Sequence, residues 1–312
     1  MSKKTNAIAS LRSNPTLALL VGILAVSLSA VVLSVFKIQQ NNSNIQRFLK
    51  ESDDLRSANY RLVDALRASM DGNELSFDEM NETLTDMTDL AGELNGAKNK
   101  QLLDAMPAQI ASVRDVWDKF KLNTETVYKN KATVLLVHDL AGRLSQTIPQ
   151  LQEEYDSIVQ NLIRNGAPAA QVAEARAQSW RAERIARNID KLLAGGDDAE
   201  AAADEFSADA LMFGQVLNGM LVGDREIGID RVFSPDVVQT LNDAAELFKF
   251  VTESSASIAA SKDVFAVTRQ AADNIKEVDS PALLQELSSI NGTVSELPEA
   301  RKWNLAFLIA AG

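Results

Sequence analysis

The chain has 312 residues, 46% of them hydrophobic and only 5% aromatic, and it carries a net charge of −12 with no cysteine. Disulfides, Cys-ligated zinc, thiol catalysis and iron–sulfur clusters are excluded together. Residues 1–36 hold Lys3, Lys4 and Arg12 and no acid, so the remainder carries −15, which argues against nucleic-acid binding through a broad basic face.

Leu17 to Phe36 reads LALLVGILAVSLSAVVLSVF, twenty residues without a charge. At about 1.5 Å per helical residue the run spans roughly 30 Å, the thickness of a bilayer core. A cleaved leader would have a shorter apolar region and a small-x-small site behind it, so the run is expected to be an uncleaved anchor. The basic residues before it are expected to keep residues 1–16 in the cytoplasm, so that residues 37–302 lie on the outer side, in the periplasm if the source is a Gram-negative bacterium. At the far end, Arg301 and Lys302 precede Trp303 and an uncharged run to Gly312. Residues 303–312 are expected to begin a second transmembrane helix that the sequence cuts short.

Between the two, the pattern is helical throughout. Ser76-x-x-Glu79 has the form of a capping box, and Phe77, Met80, Leu84, Met87, Leu90 and Leu94 follow at three- and four-residue steps. Leu151, Tyr155, Ile158 and Leu162 form a second stripe, ended by Asn165-Gly166, after which Pro168 can open the next helix. Ala182, Ile185, Ile189 and Leu192 form a third, stopped by Gly195-Gly196. Ser234-Pro235 is an N-cap and N1 pair, with Leu241, Phe248 and Val251 on the face behind it. No alternating pattern is long enough to predict a strand.

The chain also repeats. At an offset of 123, Leu94-Asn95-Gly96 matches Leu217-Asn218-Gly219, Arg61 matches Arg184, and Gly72 matches Gly195. At an offset of 131, Val127 matches Ile258, Lys131 matches Lys262, and Val134 matches Phe265. The expected fold is therefore all-α: tandem helical bundles of the four-helix type, residues 37–150 and 151–302, flanked by transmembrane helices.

Chemistry-bearing motifs are missing. The single histidine, His138, stands alone in VLLVHDLAGRL, and a ligand or catalytic role needs partners that no spacing supplies. There is no GxGxxG, Walker, GxSxG or HExxH pattern, and Asp197-Asp198 and Asp204-Glu205 lack EF-hand spacing. No enzyme, cofactor or metal site is expected.

The stretch TIPQLQEEYDSIVQNLIRNGAPAAQVAEARAQSWRAERIARNIDKLLAGG (147–196) closely resembles the PilJ family of type IV pilus methyl-accepting chemotaxis transducers. The likeness continues through AADEFSADALMFGQVLNGM (202–220) and LNDAAELFKFVTESSASI (241–258). It implies a chemoreceptor-like inner-membrane transducer of the pilus Chp system, acting in twitching motility and surface sensing. Its periplasmic part would sense a signal such as pilin or another pilus component. A HAMP segment and a methyl-accepting hairpin would follow, signalling to a CheW-like adaptor and a CheA-like kinase, and the receptor would act as a homodimer. The alternatives are the sensor half of a nitrate-sensor-like histidine kinase and a membrane-tethered helical scaffold of the pilus machinery.

LRSANYRL (55–62) is similar to the P-box of nitrate-sensing kinases. That likeness implies ligand-binding roles for Arg56, whose guanidinium fork suits a planar anion, and for Arg61. The small Gly-Ser that precedes Leu-Arg in that family is Asp53-Asp54 here, which would repel an anion, and Ser179 stands where the second module would align with Arg56. The alternative for both arginines is an intrahelical salt-bridge or solvent-facing role.

Overall fold

In the computed structural model, residues 15–296 apart from Asp197 are described. Among the described residues nine α-helices follow one another: α1 (Pro15–Met70), α2 (Glu74–Leu94), α3 (Lys100–Ala105), α4 (Pro107–Lys129), α5 (Lys131–Arg164), α6 (Ala169–Ala194), α7 (Ala199–Val222), α8 (Pro235–Asn274) and α9 (Ser280–Glu296). A 3-10 turn covers Ala97–Asn99, and a π-turn, Ile275–Asp279, carries α8 into α9 without a break in the helical backbone. The one sheet-like contact among the described residues is a bridge between Asp224 and Ile229 in the α7–α8 connection. The all-α expectation holds.

Across the uncharged run 17–36, the backbone is helical and belongs to α1, but side chains are described only at Ser27, Ser29 and Ala30. Among the described residues no helix is long and apolar enough to cross a membrane. The expected second span, 303–312, lies outside the described residues, as does the tail before residue 15.

The chain divides into two compact units, each assembled from separated segments: 1–59, 86–116 and 282–312 in the first, 60–85 and 117–281 in the second. Residue 150 lies inside the continuous helix α5.

In the first unit, α1 buries Ile45, Phe48, Ser52 and Leu55 at steps of three and four, and α9 buries Leu283, Leu287, Ile290 and Val294 in the same rhythm. Such a stripe is the seam of helices that pack at a shallow angle. The Asn291 amide of α9 donates to Asp53 Oδ1 of α1 at 3.4 Å, and Ser112 of α4 donates to Glu286 of α9 at 2.8 Å. The loop before α3 is fastened by buried Asn99, whose amide donates to the carbonyls of Glu93 and Leu94 (3.1 Å each).

The second unit contains a four-helix bundle in which α5 and α7 each pack on both α6 and α8. The turns 165–168 and 195–198 are short, which makes successive helices antiparallel. Tyr155 of α5, Phe213 of α7 and Phe248 of α8 meet at its centre. The first pair is edge-to-face at 5.1 Å, and the second is stacked at 4.6 Å. Gly214 allows that stack, since a Cβ there would stand 2.9 Å from the Phe248 ring.

Helix ends follow the sequence signals with one exception. Gly195 closes α6 at φ +76°, and Pro235 opens α8 behind Ser234, whose hydroxyl accepts from Asn165 at 2.7 Å. The exception is Ser76, which is buried inside α2. The helix starts two residues earlier, and the Asn73 carboxamide oxygen accepts the Leu75 N–H at 3.1 Å. Asn73 after positive-φ Gly72 is the better cap because its short side chain reaches the free first-turn N–H directly.

The repeat recurs in three dimensions. Lys131, at the start of α5, pairs with Asp78 (3.0 Å) and Glu74 (3.9 Å) on α2, and Lys262 of α8 pairs with Asp204 of α7 (2.7 Å) with Glu200 nearby. Each lysine faces a Glu and an Asp four residues apart at the start of a helix, where acidic side chains also complement the helix dipole. Both lysines are held above their ordinary pKa, first by the hydrogen bond to the aspartate.

Candidate functional site

Arg56 lies half-buried on α1 in the first unit. Its Nη1 donates to Asp53 Oδ1 at 3.2 Å, one turn earlier on the same helix. Its Nε is buried without a hydrogen-bond partner, and so are Glu51 Oε2, Ser52 Oγ and Asn291 Oδ1 in the same unit. Unsatisfied buried polar atoms gathered on one stretch of helix are uncommon. An anion arriving at Arg56 would have to displace Asp53, which already neutralises the guanidinium. Arg61 is exposed. At 100° per residue, five residues place it about 140° around the helix from Arg56, so the two arginines do not converge.

A denser polar centre lies in the second unit, where two helices end. His138 of α5 meets the Met70 carbonyl of α1 through Nε2 at 2.9 Å, which assigns the proton to Nε2 in the neutral ring. Burial pushes His138 below its ordinary pKa. The Met70 carbonyl opposes this, Arg269 adds to the lowering, and Asp71 works against it. Arg269 of α8 donates from Nη2 to the Ala194 carbonyl at the end of α6, at 2.5 Å. Each ending helix thus has a carbonyl, which carries no intrahelical donor, satisfied by a side chain from a longer helix.

The glycines explain why this packing is possible. A Cβ on Gly72 would stand 2.8 Å from His138 Cγ, and one on Gly195 would stand 2.5 Å from Arg269 Nε. Gly72 and Gly195 are related by the offset of 123, and His138 and Arg269 by the offset of 131. Residue matches at the second offset reach only as far as Val134 and Phe265. One helical turn further the same offset pairs His138 with Arg269, a signal that unlike residue types conceal.

Two further features mark this unit. Arg184 holds Asp209 at 2.7 Å beneath α7, where burial raises the carboxyl pKa more than Arg184 lowers it. The Tyr155 hydroxyl is buried beside Gln178, and burial pushes its pKa up, with Gln178 opposing. Among the described residues no cluster of three His, Cys, Asp or Glu could hold a metal ion.

No family model matches the chain. Over 198 residues, 63% of this chain and 29% of the relative, it is 41% identical to a putative methyl-accepting chemotaxis protein, AlkN, of Alcanivorax borkumensis. The class to which this likeness points is the chemotaxis transducer. More particularly, the chain is PilJ-like: it is 34% identical to the protein PilJ of Pseudomonas aeruginosa over 311 residues, 97% of this chain. It spans less than half the length of both curated relatives, 45% in PilJ and 29% in AlkN.

Proposed function

We propose that this chain is the sensor portion of a chemoreceptor-like transmembrane transducer serving a type IV pilus chemosensory system. The observation that carries this reading is the course of α1 and α9. α1 runs unbroken from Pro15 through the uncharged residues 17–36 into the stripe Ile45, Phe48, Ser52, Leu55. α9, which leads toward the apolar residues after Trp303, is held to α1 by Asn291 and Asp53. Two helices that each carry a buried stripe and share a hydrogen bond, one continuing directly from an uncharged run, are suited to passing a small slide or rotation through a membrane.

In this reading residues 17–36 anchor the protein in the bacterial inner membrane, residues 37–302 face the periplasm, and the chain works as a homodimer. Pilin or another pilus component is the stimulus. The output runs to a CheW-like adaptor and a CheA-like kinase through cytoplasmic segments that follow residue 312. The sensor portion performs no catalysis. The transducer reading is preferred to a histidine-kinase sensor because both relatives belong to the chemotaxis class.

Topology is directly testable because the chain has no cysteine of its own. Ser57→Cys, on an exposed position of α1, is expected to react with a membrane-impermeant maleimide in cells whose outer membrane has been permeabilised. Ser2→Cys should react only after the inner membrane is broken. Protection of Ser57→Cys in the first condition would overturn the periplasmic assignment. Retention of pilin by the full chain in detergent, and not of an unrelated periplasmic protein, tests the partner.

A further inference from the structure

We propose that a cavity beneath the α6–α7 turn of the second unit binds a small zwitterion with the charge pattern of a free α-amino acid. The cavity measures about 450 Å³ and lies between that turn and one face of α8. This is within the size range of small-molecule pockets. Phe265 and Leu192 give it an apolar floor, and the side chains of Arg269, Gln270, Asp273 and Asn274 line it along α8.

Two charges in this cavity do not meet. Arg269 and Asp273 are four residues apart on α8, the spacing at which opposite charges on a helix normally pair. Here they form no ion pair, because Arg269 is turned to the Ala194 carbonyl and pressed against Gly195. Its Nε is buried without a hydrogen-bond partner. Asp273 is exposed and takes part in no ion pair or side-chain hydrogen bond among the described residues. The lysine on the cavity wall, Lys262, is already committed to Asp204.

Glu200, the cavity's second carboxylate, lies beside Lys262. Along α8 the cavity therefore presents the Arg269 guanidinium and the Asp273 carboxylate, unpaired with each other and about one helical turn apart, with the amides of Gln270 and Asn274 beside them. A ligand carboxylate matches the guanidinium, and a ligand ammonium matches Asp273. A simple anion or a simple amine would meet only one of the two charges, so the zwitterion gains one charged contact more than either. In the first repeat the position of Arg269 is His138, which is packed onto Gly72, and that of Asp273 is Gly142. The charge pair belongs to the second repeat alone.

This site is independent of the transducer reading, since binding is measured on the protein itself and not on its signalling. The test uses the full 312-residue chain in detergent. Thermal shift and calorimetric titration would be run with each standard α-amino acid at millimolar concentration, against acetate and ethylamine as single-charge probes. At least one amino acid is expected to raise the melting temperature while acetate and ethylamine do not, and Asp273→Asn is expected to weaken its binding by at least about tenfold. Arg269→Gln should weaken it similarly where its circular dichroism remains that of the parent. Asp273→Asn removes only an exposed carboxylate and keeps the test valid if Arg269→Gln does not fold. No shift with any amino acid, an equal shift with acetate or ethylamine, or binding unchanged in Asp273→Asn would each overturn the proposal.

Discussion

At the scale of single residues, His138 is the group whose surroundings make the clearest prediction. Burial and Arg269 disfavour its charged form, and the Met70 carbonyl and Asp71 only partly oppose them, so its pKa in the folded protein lies below 6.5. The unfolded chain then binds a proton that the folded protein refuses. Stability is fully present above pH 6.5 and is lost as pH falls from there toward the depressed value. His138→Gln keeps a donor for the Met70 carbonyl and cannot titrate. Urea unfolding across that window should show a flatter pH dependence than the parent. An unchanged slope would mean that other groups carry it. A lone histidine in a helical pattern reads in sequence as ordinary. Its role depends on where α1 ends in space, which no local pattern encodes.

At the scale of helices, much was legible because helix ends obey local chemistry. Gly195 closes α6 and Pro235 opens α8 where the sequence signals place them. The α5 stripe through Leu151, Tyr155, Ile158 and Leu162 is buried as its spacing implies. Ser76 misled because a capping-box pattern also arises inside a helix, where the competing cap, Asn73, lay just upstream. The interleaving of chain segments between units was not legible, since α5 keeps one apolar stripe from Val134 to Leu162 and gives no composition shift at which to divide it. The candidate site was legible only in part. The Arg56–Asp53 pair is an i,i+3 contact of the intrahelical kind the sequence offered, whereas the orphaned buried atoms near it depend on packing that no local pattern encodes.

The α6–α7 turn supplies the element-scale prediction. Gly195 and Gly196 both have positive φ, +76° and +82°, yet a Cβ on Gly195 would strike Arg269 and one on Gly196 would meet nothing within 4 Å. Alanine at either position costs about 1–2 kcal/mol of backbone strain. Gly195→Ala must also displace the guanidinium that satisfies Ala194. Its loss of stability in chemical denaturation should therefore exceed that of Gly196→Ala. Equal losses would show that Arg269 gives way freely and does not hold the end of α6.

At the scale of the whole molecule, three separate lines meet. The fold is helical throughout the described residues. Its helices repeat with matching Lys–Asp contacts, and the chain is PilJ-like over nearly all of its length. A repeated helical module accounts for the first two: the lysine clasps recur in both copies, while His138 and Gly142 of the first stand where Arg269 and Asp273 stand in the second.

The most direct measurement is a segment exchange. The aligned portion of Pseudomonas aeruginosa PilJ would be replaced by this chain and the hybrid expressed in a strain lacking PilJ. Hybrid abundance in the inner membrane would be verified first, and twitching zones would then be measured. A transducer of this kind should let the hybrid restore twitching to well above the level of the deletion strain. A hybrid that is inserted and abundant but leaves twitching at the deletion level would contradict the transducer reading.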